Sequence, residues 1–375
     1  MKKLLIVTNV DWFLISHRLI LAEAAKTNGW EVHVACQDTG RGIEISQRGI
    51  NFIPFSFSRS GTNPFNELSL IIEFIKLYRR IKPDVIHQIT IKPVVYGTIA
   101  AKILKIKGVI NAISGMGYMF VEGKIGLMQN IILGLMRYGA NRSKIDFIFQ
   151  NQDDMNVLLD AKVLNEKNKT YLIKGSGVNL NSFPHLPLPN FENKINILLP
   201  CRMLWDKGVK ELKEATEILK TKYFNKLQFI LLGSSDDENK SSVPSVFLND
   251  WQDGEYVVWL GHRDNVVDYY KYCHIVILPS YREGLPKSLI EACAIGRPII
   301  TTDAIGCKDC VDEGINGLKV PVKNSFLLAE AIEKLINNKE LMISMGNSSR
   351  LKAENEFNVE NVVTKHLEIY EDLFY

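Results

Sequence analysis

Residues 274–291 read HIVILPSYREGLPKSLIE, and this stretch decides the fold. It opens with a short apolar run, turns after Pro279, and continues at helical spacing from Leu285 and Pro286 onward. Proline suits the first turn of a helix, because its missing N–H would have no partner there. The stretch therefore predicts a strand, a tight turn and a helix, the unit from which parallel sheets are built.

The same alternation of apolar runs and helical patterns extends along the whole chain. It predicts βαβ units whose parallel strands are buried on both faces. One sheet rarely holds so many strands, so we expect an α/β architecture of two doubly wound, Rossmann-like sheets. The predicted strands are Leu4–Thr8, Glu31–Cys36, Asn51–Phe55, Asp84–Gln88, Val109–Ile113, Asp146–Gln150, Thr170–Lys174, Ile195–Pro200, Leu227–Leu232, Tyr256–Leu260, His274–Pro279, Pro298–Thr302 and Gly317–Pro321.

The chain changes character in residues 176–192. Gly175–Gly177 follows a predicted strand, and Pro184–Pro189 is the richest proline cluster of the sequence. Glycine and proline clusters between periodic segments mark linkers. The predicted domains are 1–185 and 186–356, with the helical segment 357–375 crossing back to the first domain.

The two halves differ in charge, although the net charge is only +3. Residues 1–185 carry 23 Lys and Arg against 14 Asp and Glu, whereas residues 186–375 carry 22 against 28. A basic half predicts an anionic partner, such as a membrane surface or a phosphorylated acceptor, and a solvated surface explains the charge equally well. The basic residues form no nucleic-acid-binding motif, so we expect no nucleic acid partner.

Length and hydropathy indicate a globular, two-domain chain of 375 residues. The apolar runs Leu4–Thr8 and Ile125–Met136 are too short for a secretory signal or a membrane span. We therefore expect a cytoplasmic protein whose six cysteines are reduced. Cys307 and Cys310 form a lone C-x-x-C without a second ligand pair, which favours coincidence over zinc or redox chemistry.

The turn that opens the stretch 279–291 carries groups suited to an anionic ligand. Free N–H groups at the start of the following helix, together with its dipole, favour a bound phosphate. Glu283 lies at the turn, and Glu291 lies about two helical turns later, on an inner face. A carboxylate beside phosphate is repelled, so Glu283 is predicted to accept sugar hydroxyls; the alternative is an acid that merely favours the helix start.

A second group of charges lies in Leu199–Gly208, LPCRMLWDKG. Arg202 and Lys207 flank a turn at the carboxyl end of a predicted parallel strand, where α/β sheets bind ligands. Arginine grips phosphate oxygens with two N–H groups, and lysine adds a mobile point charge. Two solvated surface charges are the alternative. The order of R-x4-K-G followed by E-x7-E, each at the end of a predicted strand, disfavours it.

These motifs resemble those of the family 4 glycosyltransferases of the GT-B fold, and the resemblance covers nearly the whole chain. It implies transfer of a sugar from a nucleotide diphosphate with retention of configuration, without assigning a protein nucleophile. The motifs that carry it are Arg202-x4-Lys207-Gly208, Gly233 after a strand, Leu260–Arg263, Glu283–Glu291, Gly296-x-Pro298 and Asn316–Leu318.

The resemblance implies a role for each matching residue. Arg202 and Lys207 would neutralise the donor diphosphate, and Glu283 would contact the transferred sugar. Glu291 would bind the ribose hydroxyls. The other implied donor-binding residues are Gly284 and Leu285, whose backbone would hold phosphate, Arg263, whose neighbouring backbone would hold the base, and Gly233.

No two aspartates are spaced D-x-D, the arrangement with which transferases of the other major fold hold manganese. We therefore expect no metal and no cofactor besides the nucleotide-sugar co-substrate. One alternative is a UDP-sugar epimerase of the same fold, which would need several acid and base groups around the sugar. Another is an inactive, transferase-like partner protein, which would be expected to lose Arg202, Lys207 or Glu283.

The N-terminal half is predicted to bind the acceptor. A helix is expected over Phe13–Asn28, ending at Gly29. Its His17–Arg18 pair resembles a feature of relatives that act on lipid-diphosphate acceptors, and a capping or core role for His17 is the alternative. Many relatives have a histidine near the reaction centre where this chain has Ser114–Tyr118, so Tyr118 or backbone N–H groups are expected to replace it. The first loop, Asn9–Asp11, lacks the glycine pair of many relatives.

Within the family, the chain resembles bacterial N-acetylgalactosaminyltransferases that act on undecaprenyl-diphosphate-linked sugars. The resemblance implies a UDP-N-acetylhexosamine donor and a lipid-linked sugar acceptor. The amphipathic, basic stretch Met119–Lys144 predicts contact with anionic lipid at the inner face of the membrane, or else a core-facing helix. The shared features are His17–Arg18, Phe57–Arg59 with Asn63–Pro64, Leu204–Glu211, Glu283–Gly284 and Gly306–Cys307.

Overall fold

The computed structural model describes residues 1–55, 64–116, 126–236 and 239–375, except for the side chains of residues 64–68. The chain forms two compact units. The first contains Met1–Ser176 and Glu360–Tyr375, and the second contains Gly177–Val359.

The break between the units differs from the predicted boundary after residue 185. Residues 177–185 belong to the second unit, where the Arg350 guanidinium donates to the Phe183 carbonyl at 3.0 Å. The segment that joins the first unit at the C-terminus begins at Glu360 and not at residue 357. Tertiary contacts made by the proline-rich segment therefore set the boundary ahead of the prolines.

In the described part of the first unit, the strands form one parallel sheet. They are β1 (Lys2–Val10), β2 (Trp30–Gln37), β3 (Asn51–Pro54), β4 (Val85–Ile89), β5 (Gly108–Ile113), β6 (Ile145–Phe149) and β7 (Thr170–Leu172). The helices are α1 (Asp11–His17), α2 (Leu19–Thr27), α3 (Gly42–Gln47), α4 (Pro64–Ile81), α5 (Thr98–Ile103), α6 (Leu127–Ala140), α7 (Gln152–Asp160) and the C-terminal α14 (Val359–Phe374). The strand order is β3-β2-β1-β4-β5-β6-β7, so it reverses between β1 and β4.

The described part of the second unit also forms one parallel sheet. Its strands are β8 (Ile195–Pro200), β9 (Leu227–Leu232), β10 (Val257–Trp259), β11 (Ile275–Leu278), β12 (Ile299–Thr302) and β13 (Gly317–Val320). Its helices are α8 (Val209–Tyr223), α9 (Ser245–Trp251), α10 (Val266–Tyr272), α11 (Lys287–Ile295), α12 (Ser325–Ile336) and α13 (Lys339–Lys352). The order is β10-β9-β8-β11-β12-β13, so the reversal falls between β8 and β11.

Each predicted strand has an observed counterpart whose bounds agree to within two residues. The predicted helix Phe13–Asn28 was wrong as a single helix. Arg18 adopts φ −136°, outside the helical region, and separates α1 from α2. Gly29 adopts φ +85° after α2, as expected for a glycine that ends a helix.

The sheet of the first unit is covered on both faces by apolar helices. Helix α14 packs on the face that also receives α1 and α2, where Tyr370 and Leu373 are buried with Leu4 and Ile6. The helix therefore completes the core of the first unit, as predicted. None of the helices in the described residues is long and apolar enough to cross a membrane.

Candidate active site

Two loops of the second unit meet where the strand order reverses. Residues 201–208 follow β8, and residues 279–286 follow the neighbouring β11. The Asp206 carbonyl accepts hydrogen bonds from the Ser280 hydroxyl at 3.0 Å and from the Tyr281 N–H at 2.9 Å. The two motifs predicted from sequence are therefore in direct contact at the carboxyl edge of the sheet, where doubly wound folds bind ligands.

Gly208 allows the two loops to approach this closely. It adopts φ +75°, and a Cβ atom built on it would lie 2.1 Å from the Pro279 carbonyl oxygen. A side chain at this position would therefore meet both an unfavourable backbone conformation and a backbone atom of the other loop. The glycine of the R-x4-K-G motif is thus explained by the crossing of the two loops.

Lys207 and Glu283 form an ion pair between the loops. The Lys207 ammonium lies 2.5 Å from the Glu283 carboxylate, and each side chain is only 15% exposed. Burial by itself would lower the pKa of Lys207, but the adjacent Glu283 carboxylate outweighs it and raises that pKa above its ordinary value. The lysine therefore stays charged near neutral pH, with the Glu283 carboxylate as its partner.

Arg202, the other predicted phosphate ligand, extends toward solvent from the same loop. Its guanidinium donates to the Asp236 carboxylate at 2.7 Å, and 45% of the side chain is exposed. Asp236 follows β9, the strand on the other side of β8. The Arg202 side chain thus lies at the same sheet edge as Lys207. Its guanidinium contacts the Asp236 carboxylate, whereas the prediction expects it to contact phosphate oxygens.

The backbone of Glu283 and Gly284 packs against the loop after β12. The Glu283 N–H donates to the Ile305 carbonyl at 2.9 Å. A Cβ atom built on Gly306, which has φ +80°, would lie 2.4 Å from the Glu283 carbonyl oxygen. Leu285 is buried in the core of the unit and fixes the other side of the turn. The turn is therefore held rigidly ahead of α11.

Glu291 lies on the buried face of α11 and is 6% exposed. Its carboxylate lies 3.0 Å from the Lys287 ammonium and accepts a hydrogen bond from the Tyr270 hydroxyl at 3.2 Å. The inner position predicted from the E-x7-E spacing is confirmed. Its contact with ribose stays a prediction.

Gly233 and Arg263 lie on the other side of β8. Gly233 adopts φ +148°, its Cβ position would lie 1.9 Å from the Cys201 carbonyl oxygen, and its N–H donates to the Gly261 carbonyl at 2.9 Å. Gly233, which follows β9, therefore contacts the residues that follow β8 and β10. Arg263 is exposed after β10, and its guanidinium donates to the His262 carbonyl at 2.9 Å.

The predicted acceptor-binding residues lie in the first unit, where His17 and Arg18 end α1. The His17 ring is half-buried, stacks on Phe13 with centroids 4.4 Å apart, and lies 2.6 Å from the Ser16 hydroxyl through Nδ1. Arg18 is only 2% exposed, and burial lowers the pKa of its guanidinium to about 10. His17 is thus the more accessible of the two. Tyr118 lies outside the described residues.

Sequence reasoning gave Asp11 no role, although its carboxylate ties the start of α1 to the loop after β2. Asp11 is fully buried and accepts hydrogen bonds from the backbone N–H groups of Thr39 and Arg41 at 2.6 and 3.0 Å. Burial would raise the pKa of Asp11, but a hydrogen bond from the Thr39 hydroxyl, together with those from backbone N–H groups, outweighs it and lowers that pKa. An aspartate that opens a helix directly after a strand was the available signal. Asp236 and Tyr270 carried no such signal.

Within the described residues, no group of three or more His, Cys, Asp and Glu side chains could hold a metal ion. The expectation that transfer needs no metal stays a prediction. Cys307 and Cys310 are unpaired and buried, and burial raises the pKa of the Cys307 thiol to about 12.

Two family models match the chain. The model described as glycosyl transferase 4-like matches residues 3–151, and the model described as glycosyl transferases group 1 matches residues 187–352. The N,N'-diacetylbacillosaminyl-diphospho-undecaprenol alpha-1,3-N-acetylgalactosaminyltransferase of Campylobacter jejuni is 28% identical over an alignment of 367 residues that covers 94% of each chain. The UDP-Gal:alpha-D-GlcNAc-diphosphoundecaprenol alpha-1,3-galactosyltransferase of Escherichia coli is 21% identical over 356 residues, covering 92% of this chain and 89% of that one.

Solved structures share the fold at low sequence identity. Sucrose-phosphate synthase of Thermosynechococcus elongatus has a TM-score of 0.80 at 18% identity, covering 100% of this chain and 99% of that one. HepE of Anabaena, solved with UDP, has a TM-score of 0.78 at 18% identity, covering 99% of this chain and all of that one. These likenesses show the GT-B fold. The chain therefore belongs to the glycosyltransferases, with a glycosyltransferase 4-like first half and a group 1 second half.

Proposed function

We propose that this enzyme transfers an N-acetylhexosamine, with retention of configuration, from a UDP-sugar to an undecaprenyl-diphosphate-linked sugar during assembly of a bacterial surface polysaccharide. The main observation that supports the proposal is the contact of Lys207 with Glu283 at the carboxyl ends of β8 and β11. The Campylobacter and Escherichia relatives are both named for action on diphospho-undecaprenol-linked sugars, which supports the acceptor class. The UDP-Gal in the second name supports a uridine donor.

The charged side chains suit the departure of a nucleoside diphosphate. Negative charge develops on the leaving phosphate, and cations already in place stabilise it without reorganisation. Lys207 is held by Glu283, and Arg202 exchanges the Asp236 carboxylate for a phosphate oxygen. The Glu283 carboxylate, 2.5 Å from the lysine ammonium, accepts hydrogen bonds from hydroxyls of the transferred sugar.

Retention follows from attack on the face that the diphosphate leaves. The bond from the acceptor oxygen to the anomeric carbon forms as the bond from that carbon to the phosphate oxygen breaks. The departing phosphate oxygen takes the proton of the acceptor hydroxyl. This step balances without a protein nucleophile, and the protein contributes positioning and electrostatic stabilisation.

The test is to incubate the purified protein with a panel of UDP-sugars in EDTA, and then to add undecaprenyl-diphosphate sugars. We expect one UDP-N-acetylhexosamine to be consumed, with an α-linked product that forms only when the lipid acceptor is present. A β-linked product would contradict retention. Conversion of the UDP-sugar into its epimer without acceptor would establish the epimerase alternative. Failure to bind any UDP-sugar of the panel would contradict the proposed donor and favour the inactive partner protein.

We propose in addition that α6 holds the enzyme peripherally at the inner face of the cell membrane, on anionic lipid. The helix leaves large apolar side chains exposed, and Lys102, with its ammonium 4.0 Å from the Tyr138 ring centroid, lies beside them. Such an apolar surface flanked by cations suits the boundary between headgroups and acyl chains. The exposed residues are Leu127, Met128, Ile131 and Tyr138.

Sedimentation with phosphatidylglycerol vesicles tests this attachment. Ile131→Asp should lose vesicle binding, because it places a charge in the apolar face. Ile218→Asp, at an equally exposed isoleucine on α8, is the matched control, since each side chain is 49% exposed. Equal binding by both variants would remove α6 from the membrane contact.

A further inference from the structure

The Glu291 carboxylate is held through both of its oxygens. Oε1 lies 3.0 Å from the Lys287 ammonium, and Oε2 accepts a hydrogen bond from the Tyr270 hydroxyl at 3.2 Å. Tyr270 comes from α10, whereas Lys287 and Glu291 are one turn apart on α11. Two elements therefore set the orientation of one nearly buried carboxylate.

Tyr270 is itself fixed in place. The buried Arg297 guanidinium donates to the Tyr270 carbonyl at 2.9 Å, and the Tyr270 ring meets the Phe183 ring edge-on at a centroid distance of 6.0 Å. The hydroxyl also donates to the Ser288 carbonyl at 2.9 Å. A side chain with this little freedom can hold its partner without an added entropic cost.

The hydroxyl of Tyr270 acts as a donor toward Glu291. Burial, and then the nearby Glu291 carboxylate, raise the pKa of Tyr270 well above its ordinary value, so the phenol keeps its proton. The Ser288 carbonyl and the carboxylate can only accept, so they share this one hydrogen. The remaining lone pairs of Glu291 are left for other donors.

Helix stability does not explain the pairing of Lys287 with Glu291. A cation in the first turn of a helix is opposed by the helix dipole. The order lysine then glutamate, four residues apart, is also the weaker arrangement of such a pair. The pair is therefore better explained by what it does to the carboxylate.

We propose that Tyr270 and Lys287 are positioning residues for the nucleotide, which orient Glu291 to accept hydrogen bonds from the ribose hydroxyls of the donor. The inference rests on the proposed function, because it takes the donor to be a UDP-sugar. A carboxylate fixed at both oxygens pays little conformational entropy when the ribose binds. Loss of either support lets it rotate away from the ribose.

The test is to measure the affinity of the full-length protein for UDP and for 2′,3′-dideoxy-UDP. In the unmodified protein, loss of the ribose hydroxyls should weaken binding at least tenfold (about two hydrogen bonds to a charged group). Tyr270→Phe should weaken binding of UDP about fivefold and leave binding of 2′,3′-dideoxy-UDP unchanged. The preference for UDP over the dideoxy nucleotide should therefore fall about fivefold. Lys287→Met should also lower the preference for UDP. Because the Lys287 side chain is partly exposed, this variant serves as the second one if Tyr270→Phe does not fold.

Tyr256→Phe is the matched control. Tyr256 is fully buried in the same unit, and its hydroxyl donates to the Thr216 carbonyl at 3.0 Å. Tyr256→Phe should leave the preference for UDP over 2′,3′-dideoxy-UDP as it is in the unmodified protein. Equal weakening of both nucleotides by Tyr270→Phe and Lys287→Met would reduce them to structural residues and overturn the inference.

The remaining outcomes separate this inference from the proposed function. If the unmodified protein binds UDP and 2′,3′-dideoxy-UDP equally, Glu291 does not bind the ribose. The inference then fails while a UDP-sugar donor stands. If the unmodified protein binds neither nucleotide, the proposed function and the inference fail together.

Discussion

Lys207 and Glu283 are 76 positions apart in the sequence, yet their charged atoms lie 2.5 Å apart. The loops that carry them are also linked by a backbone hydrogen bond, from the Tyr281 N–H to the Asp206 carbonyl. Both side chains are largely withdrawn from water, so removal of one leaves a poorly compensated charge. We therefore expect the two residues to act as one unit.

Substitutions at this ion pair should be strongly non-additive. We expect Lys207→Ala and Glu283→Gln each to lower kcat/KM by about 100-fold or more, because each removes part of the stabilisation of the leaving diphosphate and the sugar. The double variant should be little worse than either single one. Steady-state kinetics on all three variants measures the coupling. Losses that multiply in the double variant would mean that the residues act independently.

Arg202 should matter for transfer and little for folding. Nearly half of its side chain is exposed, so Arg202→Ala should change the free energy of unfolding by less than about 1 kcal/mol. The same variant should lower kcat/KM about 100-fold. Lys220→Ala is the control, since Lys220 is 47% exposed and lies 2.8 Å from Asp253 in the same unit. If both variants keep full activity, Arg202 does not bind the diphosphate.

The sequence predicted the strands and the positions of the two motif-bearing loops well because their signals are local. Apolar runs bounded by glycine and proline mark strands, and the R-x4-K-G and E-x7-E motifs each follow such a run directly. The break at Arg18 could not be read this way, because the residues around it are compatible with one continuous helix. The contacts of Arg202 with Asp236 and of Tyr270 with Glu291 depend on strand order and on packing between distant segments.

Stability of the first unit should fall as the pH drops below about 6.5. His366 is fully buried, and burial, followed by the charge of Arg18, lowers its pKa to about 3. Between pH 3 and 6.5 the unfolded chain binds a proton that the folded chain does not, so stability rises with pH across this window. The contribution is up to about 1.4 kcal/mol per pH unit.

Urea unfolding between pH 4.5 and 7 measures this dependence. His366→Gln should have a shallower slope than the unmodified protein. Because His87 is also fully buried, with a pKa well below its ordinary value from burial, His366 and Arg18, part of the slope should remain. His262→Gln, at an exposed histidine of the second unit, should keep the original slope. An unchanged slope in His366→Gln would contradict the assignment.

Gly208→Ala and Gly254→Ala should separate the cost of backbone conformation from the cost of crowding. Both glycines adopt nearly the same φ, +75° and +77°, but a Cβ on Gly208 would lie 2.1 Å from the Pro279 carbonyl oxygen, whereas one on Gly254 would meet no described atom within 4 Å. Gly254→Ala should therefore destabilise the protein by only about 1–2 kcal/mol, the amount expected for an alanine in the left-handed conformation. Gly208→Ala should cost more and should also weaken UDP binding, because it forces apart the loops that carry Lys207 and Glu283.

Urea unfolding and UDP titration measure the two effects. Equal stability of the two variants, with UDP binding unchanged in both, would show that the loops tolerate separation and that their close contact is not needed for the donor site.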